Sequence, residues 1–187
     1  MKIKSLLIFA FLTFSISGFC QQNSKYAGGI VYGPKAAFQI FAPEKWILDN
    51  QAGLSMRLPC VLYLKGFNWS DSPAIMYAKI ASTNFEEIQP FIDFAIKEFK
   101  SRDTSFTYQR IKNYVTKENF KVIVNDYSEN NHSQLDRVAY IQVDKAVCFI
   151  VFSTSTKENF DKYADDIYAV IETFTYKPEY INYGNKK

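Results

Sequence analysis

An α+β domain, built on a largely antiparallel β-sheet with helices packed on both faces, is predicted by three features of this 187-residue sequence. Strand-like alternation gives way to helical spacing twice, in the order strands, helix, four strands, helix. The last two of the four strands meet at the tight turn Asp144-Lys145, which makes them an antiparallel hairpin. The run AVCFIVF at 146–152 is apolar at both parities, so that strand is covered on both faces.

The chain opens MKIKSLLIFAFLTFSISGFCQQ. Lys2 and Lys4 form a basic start, and residues 5–16 are an apolar stretch too short to span a bilayer. Gly18 and Cys20 fall at the −3 and −1 positions of an A-x-A-like cleavage site. Residues 1–20 therefore read as a secretory signal, leaving a soluble periplasmic or secreted protein that begins at Gln21. The alternative is a lipoprotein anchored at Cys20, although Phe19 stands where that pathway takes a small residue. Without its first twenty residues the chain falls from a net charge of +3 to +1. Its charges are interspersed, with no basic stripe for nucleic acid. No later segment has the apolar length of a membrane helix.

Residues 21–35 are polar and Gly-rich and read as loosely ordered or as a short edge strand. A single domain is expected over 36–176, and 177–187 reads as a tail. A strand at 38–42 ends at Pro43. Strand-like residues follow at 54–57 and 61–65, interrupted by Pro59, then the turn-rich loop GFNWSDSP and a strand at 74–81. The period then changes: Phe85, Ile88, Ile92, Ala95 and Phe99 share one helical face. Thr83 or Asn84 can cap this helix with Glu86 or Glu87, and Pro90 either kinks it or marks its true start. Strands at 107–115, 120–127, 135–143 and 146–153 come next. A capping box of Ser155 and Glu158 opens the second helix, with Phe160, Ala164, Ile167, Ile171 and Phe174 as its buried stripe. The pentapeptide TKENF occurs at Thr116 and again at Thr156. Its flanks lead into a strand the first time and a helix the second.

Catalytic chemistry is sparse. His132 is the only histidine and lies in the polar loop SENNHSQLD, near Ser128, Ser133 and Asp136. A loop histidine lacks the buried orienting acid and oxyanion pocket of a triad, and one histidine cannot seed a zinc site. Glu86 and Glu87 suit a helix N-terminus, while Asp165 and Asp166 read as solvated helix residues. Gly28, Gly29 and Gly33 lack the residues of a phosphate loop. No catalytic, metal or cofactor residue is assigned. Two readings stay open for Cys60 and Cys148: a disulfide, or two separate buried thiols. Two also stay open for Phe67 and Trp69, in the loop at 66–73: anchors for a partner, or rings folded back on the core.

Phe38, Ile40, Pro43, Trp46 and Gly53, with GFNWSDSPAIMYAKI and the terminal ETFTY, resemble the PsbP-like fold family over 38–176. That family includes PsbP, Mog and bacterial DcrB, and the leader brings this chain nearest to the DcrB-type envelope proteins. The resemblance implies an α/β/α sandwich and a binding or assembly role without cofactor chemistry, and it carries over no catalytic residue. Trp46 then reads as a scaffold element closing one end of the core. The expected function is an exported, non-catalytic module acting on a protein or envelope component. The alternatives are a small-ligand or lipid carrier, or a secreted hydrolase using His132.

Overall fold

The computed structural model describes residues 28–82, 84–129 and 133–181. The leader, the capping position Thr83, His132 and residues 182–187 lie outside them. In chain order the elements are β1 (Gly28–Tyr32), β2 (Ala37–Phe41), β3 (Trp46–Asp49), β4 (Val61–Leu64), β5 (Ile75–Ile80) and α1 (Ile88–Arg102). There follow β6 (Thr107–Val115), β7 (Lys121–Glu129), β8 (Gln134–Val143), β9 (Ala146–Thr154), α2 (Lys157–Tyr163), α3 (Asp166–Ile171) and β10 (Thr175–Tyr176). Seven strands form one sheet in the order β3-β4-β5-β9-β8-β7-β6, and β1-β2-β10 form a second. Neighbouring strands in both sheets are antiparallel.

The doubly apolar β9 sits in the middle of the large sheet, and strand alternation divides its side chains between two cores. On one face Val147 and Val151 join Ile123, Tyr127, Val138 and Tyr140 beneath Ile88 and Ile92 of α1. On the other, Cys148, Ile150 and Phe152 join Val122, Val124, Ala139 and Ile141. That second face is covered by Ile167, Val170 and Ile171 of α3 and by Phe38 and Ile40 of β2. Phe38 stacks on Phe174 with ring centroids 4.9 Å apart, fixing the small sheet to the end of α3. Helices thus lie on both faces, as the apolar pattern of β9 requires. The small sheet completes the layer that α2 and α3 leave partly open.

Close packing explains one glycine. A Cβ on Gly29 would stand 2.6 Å from Cys60 Sγ and 2.8 Å from Leu48 Cδ2, so β1 can cross the large sheet there only without a side chain.

Several local expectations change. Residues 54–56 form a 3₁₀ turn ending at Arg57 in the left-handed region (φ 58°), and the strand lies earlier, with Trp46 opposite Leu64. A Cβ at Gly53 would meet Val61 Cγ1 at 2.4 Å, so the turn packs directly on β4. Helix α1 starts at Ile88, with no side-chain bond from its own cap residue, Glu87. Gln142 of β8 does that work: its Oε1 accepts the Ile88 N–H at 3.0 Å. Its Nε2 donates to the Glu86 carbonyl at 2.6 Å. Pro90 falls in the first turn, where its missing N–H has no intrahelical partner to lose.

The second helix is two. α2 ends at Tyr163 and α3 begins at Asp166, yet Ala164, Ile167, Ile171 and Phe174 are all buried as one stripe. Thr156, not Ser155, caps α2, accepting the Asn159 N–H at 3.2 Å. The tail is anchored at its start: Thr175 and Tyr176 pair with Gln39 and Phe38, and the Lys177 N–H donates to the Ala37 carbonyl at 2.8 Å.

Cys60 and Cys148 are buried free thiols. The Ala78 N–H donates to the Cys60 carbonyl, and β5 lies between β4 and β9. Two strand spacings of about 4.8 Å separate them, beyond the Cα distance that a disulfide spans.

Candidate functional site

At one end of the large sheet, the 66–73 loop, the start of β5, the start of β8 and the end of β9 enclose an open cavity of about 320 Å³. The register creates it. Ser153 stands opposite Ile75 on one side and Asp136 on the other. By alternation these side chains share the α1 face with Val138 and Val151. Trp69 and Ile75 supply the apolar lining, and Ser70, Ser72, Ser133, Ser153, Ser155, Thr154 and Gln134 the polar lining.

The loop carrying Trp69 is held by its own short polar residues, as turn-forming Asn, Asp and Ser allow. The Asn68 N–H donates to Asp71 Oδ1 at 2.6 Å, and the Ser72 N–H to the Asn68 carbonyl at 3.0 Å. Ser72 Oγ accepts the Leu64 N–H and donates to the Ala74 carbonyl at 2.6 Å. Two further bonds fasten the loop to the rest of the fold: Thr154 Oγ1 and Asn159 Nδ2 both donate to the Pro73 carbonyl, at 2.8 and 3.4 Å. Gly66, at φ 90°, makes the turn that starts the loop. Trp69 is half-buried beside the cavity, while Phe67 is 44% exposed and lies outside its lining.

Behind the cavity Asp136 is only 6% exposed. Gln134 Nε2 donates to both of its carboxylate oxygens, at 3.1 and 3.0 Å, and the Ser153 side chain bonds to it as well. Burial pushes the Asp136 carboxyl above its ordinary value; the bonds from Ser153 and Gln134 oppose that shift, and the charge of Glu129 adds to it. Burial and the charge of Asp136 together push the Tyr77 hydroxyl up to about 12. The lining itself carries no charged side chain and is rich in hydroxyls, with one buried acid bonded to two of its groups.

Sequence reasoning found Trp69 but not Gln134, Asp136 and Ser153 as its companions. The available signal was Asp136-Arg137 in the first half of β8, directly ahead of its apolar run Val138–Ile141. Arg137 faces the other way, donating to Asp126 Oδ1 and Oδ2 at 2.7 and 2.8 Å and also to Asp165. Asp165 and Asp166 are thus not idle helix residues. The first ties the α2–α3 junction to the sheet, and the second accepts the Trp46 indole N–H at 2.8 Å. Trp46 itself is buried in the core. Among the described residues no three His, Cys, Asp or Glu side chains converge as metal ligands. No helix among them is long and apolar enough to cross a membrane.

A hydroxyl-lined cavity at the end of an α+β sandwich defines the class of the molecule by its architecture. No protein-family model and no curated protein matches the chain. Among solved structures it is similar to cyanobacterial PsbP (CyanoP) from Synechocystis sp. PCC 6803, at 12% identity and a TM-score of 0.48, over 75% of this chain and 86% of that one. It is similar to LpqN, involved in cell envelope biogenesis of Mycobacterium tuberculosis, at 14% identity and a TM-score of 0.46, over 75% and 83%. PA94 from Pseudomonas aeruginosa, a protein of unknown function, gives 13% identity and a TM-score of 0.38 over 76% and 85%. Each of these likenesses spans about three quarters of this chain at 12–14% identity.

Proposed function

We propose that this chain is an exported, non-catalytic binding module that acts on a protein or envelope component through the end of the sheet carrying Phe67 and Trp69. The observation that carries the reading is the pinned 66–73 loop, which holds a half-buried tryptophan against a cavity and an exposed phenylalanine beside it. A ring held in place before binding loses little conformational freedom when a partner arrives, which favours its use as an anchor. The lining groups suit holding more than converting. They are hydroxyls and an amide, groups that donate and accept hydrogen bonds. The basic and apolar leader at 1–20 supports export.

Sedimentation with purified envelope fragments tests this reading. The wild-type protein is expected to co-sediment, and Phe67→Ala combined with Trp69→Ala to remain in the supernatant while keeping the native circular dichroism spectrum. Equal co-sedimentation of the double variant would remove this surface from the proposal.

A further inference from the structure

We propose that the Trp69 cavity binds a neutral saccharide, a mono- or disaccharide unit of a glycan. This rests on the binding reading above and names its ligand chemistry.

The lining selects its ligand by the groups it can satisfy. None of its residues is charged, so it offers no ammonium or guanidinium to a phosphate or carboxylate and no acid to a cation. Ser72, Ser153 and Thr154 already bond within the fold. An acyl chain would still cover the Ser70 and Ser155 hydroxyls and the Gln134 amide oxygen without giving them partners, which is costly. A peptide hot spot is normally a desolvated apolar or arginine-filled pocket, whereas this one is walled mainly by hydroxyls. What remains is a compact neutral molecule with many O–H groups and one apolar face. A sugar ring has both. Its hydroxyls are donors and acceptors like those of the serines, and its C–H face can lie on the Trp69 indole.

The buried acid prepares the site for donors. Asp136 engages Gln134 Nε2 and the Ser153 side chain, which leaves Gln134 Oε1 and a Ser153 lone pair for a ligand's O–H groups. Asp136 is then a positioning residue, acting through its two neighbours. The volume, about 320 Å³, is at the small end of the range for ligand pockets.

The test uses tryptophan fluorescence. The chain has two tryptophans, and Trp46 is 2% exposed, so acrylamide quenching reports on Trp69. The probes are the methyl glycosides of glucose, galactose and N-acetylglucosamine at millimolar concentration, with anionic phospholipid vesicles and a mixed-sequence peptide as comparisons. At least one glycoside is expected to protect Trp69 saturably. Ser153→Ala is expected to weaken that binding about five-fold, the loss of one hydrogen bond. Asp136→Asn is expected to weaken it less, and Trp69→Ala to abolish it in calorimetry. Protection by none of the three glycosides overturns the saccharide, as does protection by vesicles or peptide alone. If glycosides fail while envelope co-sedimentation still depends on Trp69, only this inference falls. If a glycoside binds while co-sedimentation ignores Trp69, the surface assigned under the proposed function falls instead.

Discussion

Trp46 donates its indole N–H to Asp166 Oδ2 at 2.8 Å, joining residues 120 positions apart in the chain. The indole is 2% exposed and meets Phe152 and Tyr163 edge-on. This one bond fastens the first turn of α3 to β3, the edge strand of the large sheet. A buried donor of this kind is satisfied or it is expensive.

Asp166→Ala should therefore destabilise the fold by about 1–3 kcal/mol, because the indole N–H stays buried without its acceptor. Asp166→Asn keeps an acceptor oxygen and should cost distinctly less. Trp46→Ala should cost about 3–5 kcal/mol, with the lost packing added to the lost bond. Urea denaturation of the three variants decides it, and an Asp166→Ala protein as stable as wild type would show that the bond is not needed.

Asp136 makes a signed pH prediction. Its carboxyl is raised mainly by burial, so between the ordinary Asp value and its own folded value the native state binds more protons than the unfolded state. In that window this group lowers stability as pH rises and restores it as pH falls. Asp136→Asn should remove that contribution to the slope and leave the protein relatively more stable at neutral pH. Urea midpoints measured from pH 4 to 7 for both proteins provide the comparison. A steeper loss of stability with rising pH in the variant would contradict it.

The thiols should be inert. Burial, helped by the charge of Asp49, pushes Cys60 up to about 12, and burial alone pushes Cys148 higher still. Neither thiolate is available near neutral pH. A thiol-specific disulfide reagent should leave both unreacted in the native protein and label both in guanidinium. An intact mass lower by two hydrogens, with no labelling after denaturation, would reveal the bridge that the strand order forbids.

Gln142→Ala should unfasten α1. It removes the acceptor for the Ile88 N–H and the donor to the carbonyls of Glu86, Asp144 and Ala146. A cost of about 1–2 kcal/mol is expected, in the range of a lost helix cap. Hydrogen exchange should quicken first at the amides of the first turn of α1. Unchanged exchange there would mean that Ile88 and Ile92 hold the helix start by packing alone.

Periodicity and turn chemistry were legible because they are local. The alternation of β5 to β9, the hairpin at Asp144 and the apolar stripe from Ala164 to Phe174 each depend on residues close together in the chain, and each is present in the fold. Tertiary partners decided the rest. TKENF shows the difference: Thr116 accepts the Phe120 N–H at 3.0 Å inside the β6–β7 turn, where Asn119 is left-handed at φ 67°, whereas Thr156 caps α2. The five residues are identical, and their surroundings choose. The cap of α1 came from Gln142, 54 residues away, and no local capping rule could name it. The cavity was equally hidden. Trp69 was visible as an aromatic in a turn-rich loop, but Gln134, Asp136 and Ser153 become its neighbours only through the register of β8 on β9. The sequence alone determined which segments alternate and which are helical, because those preferences act over a few residues. Strand order and register, which depend on burial of both sheet faces at once, determined what those segments hold together.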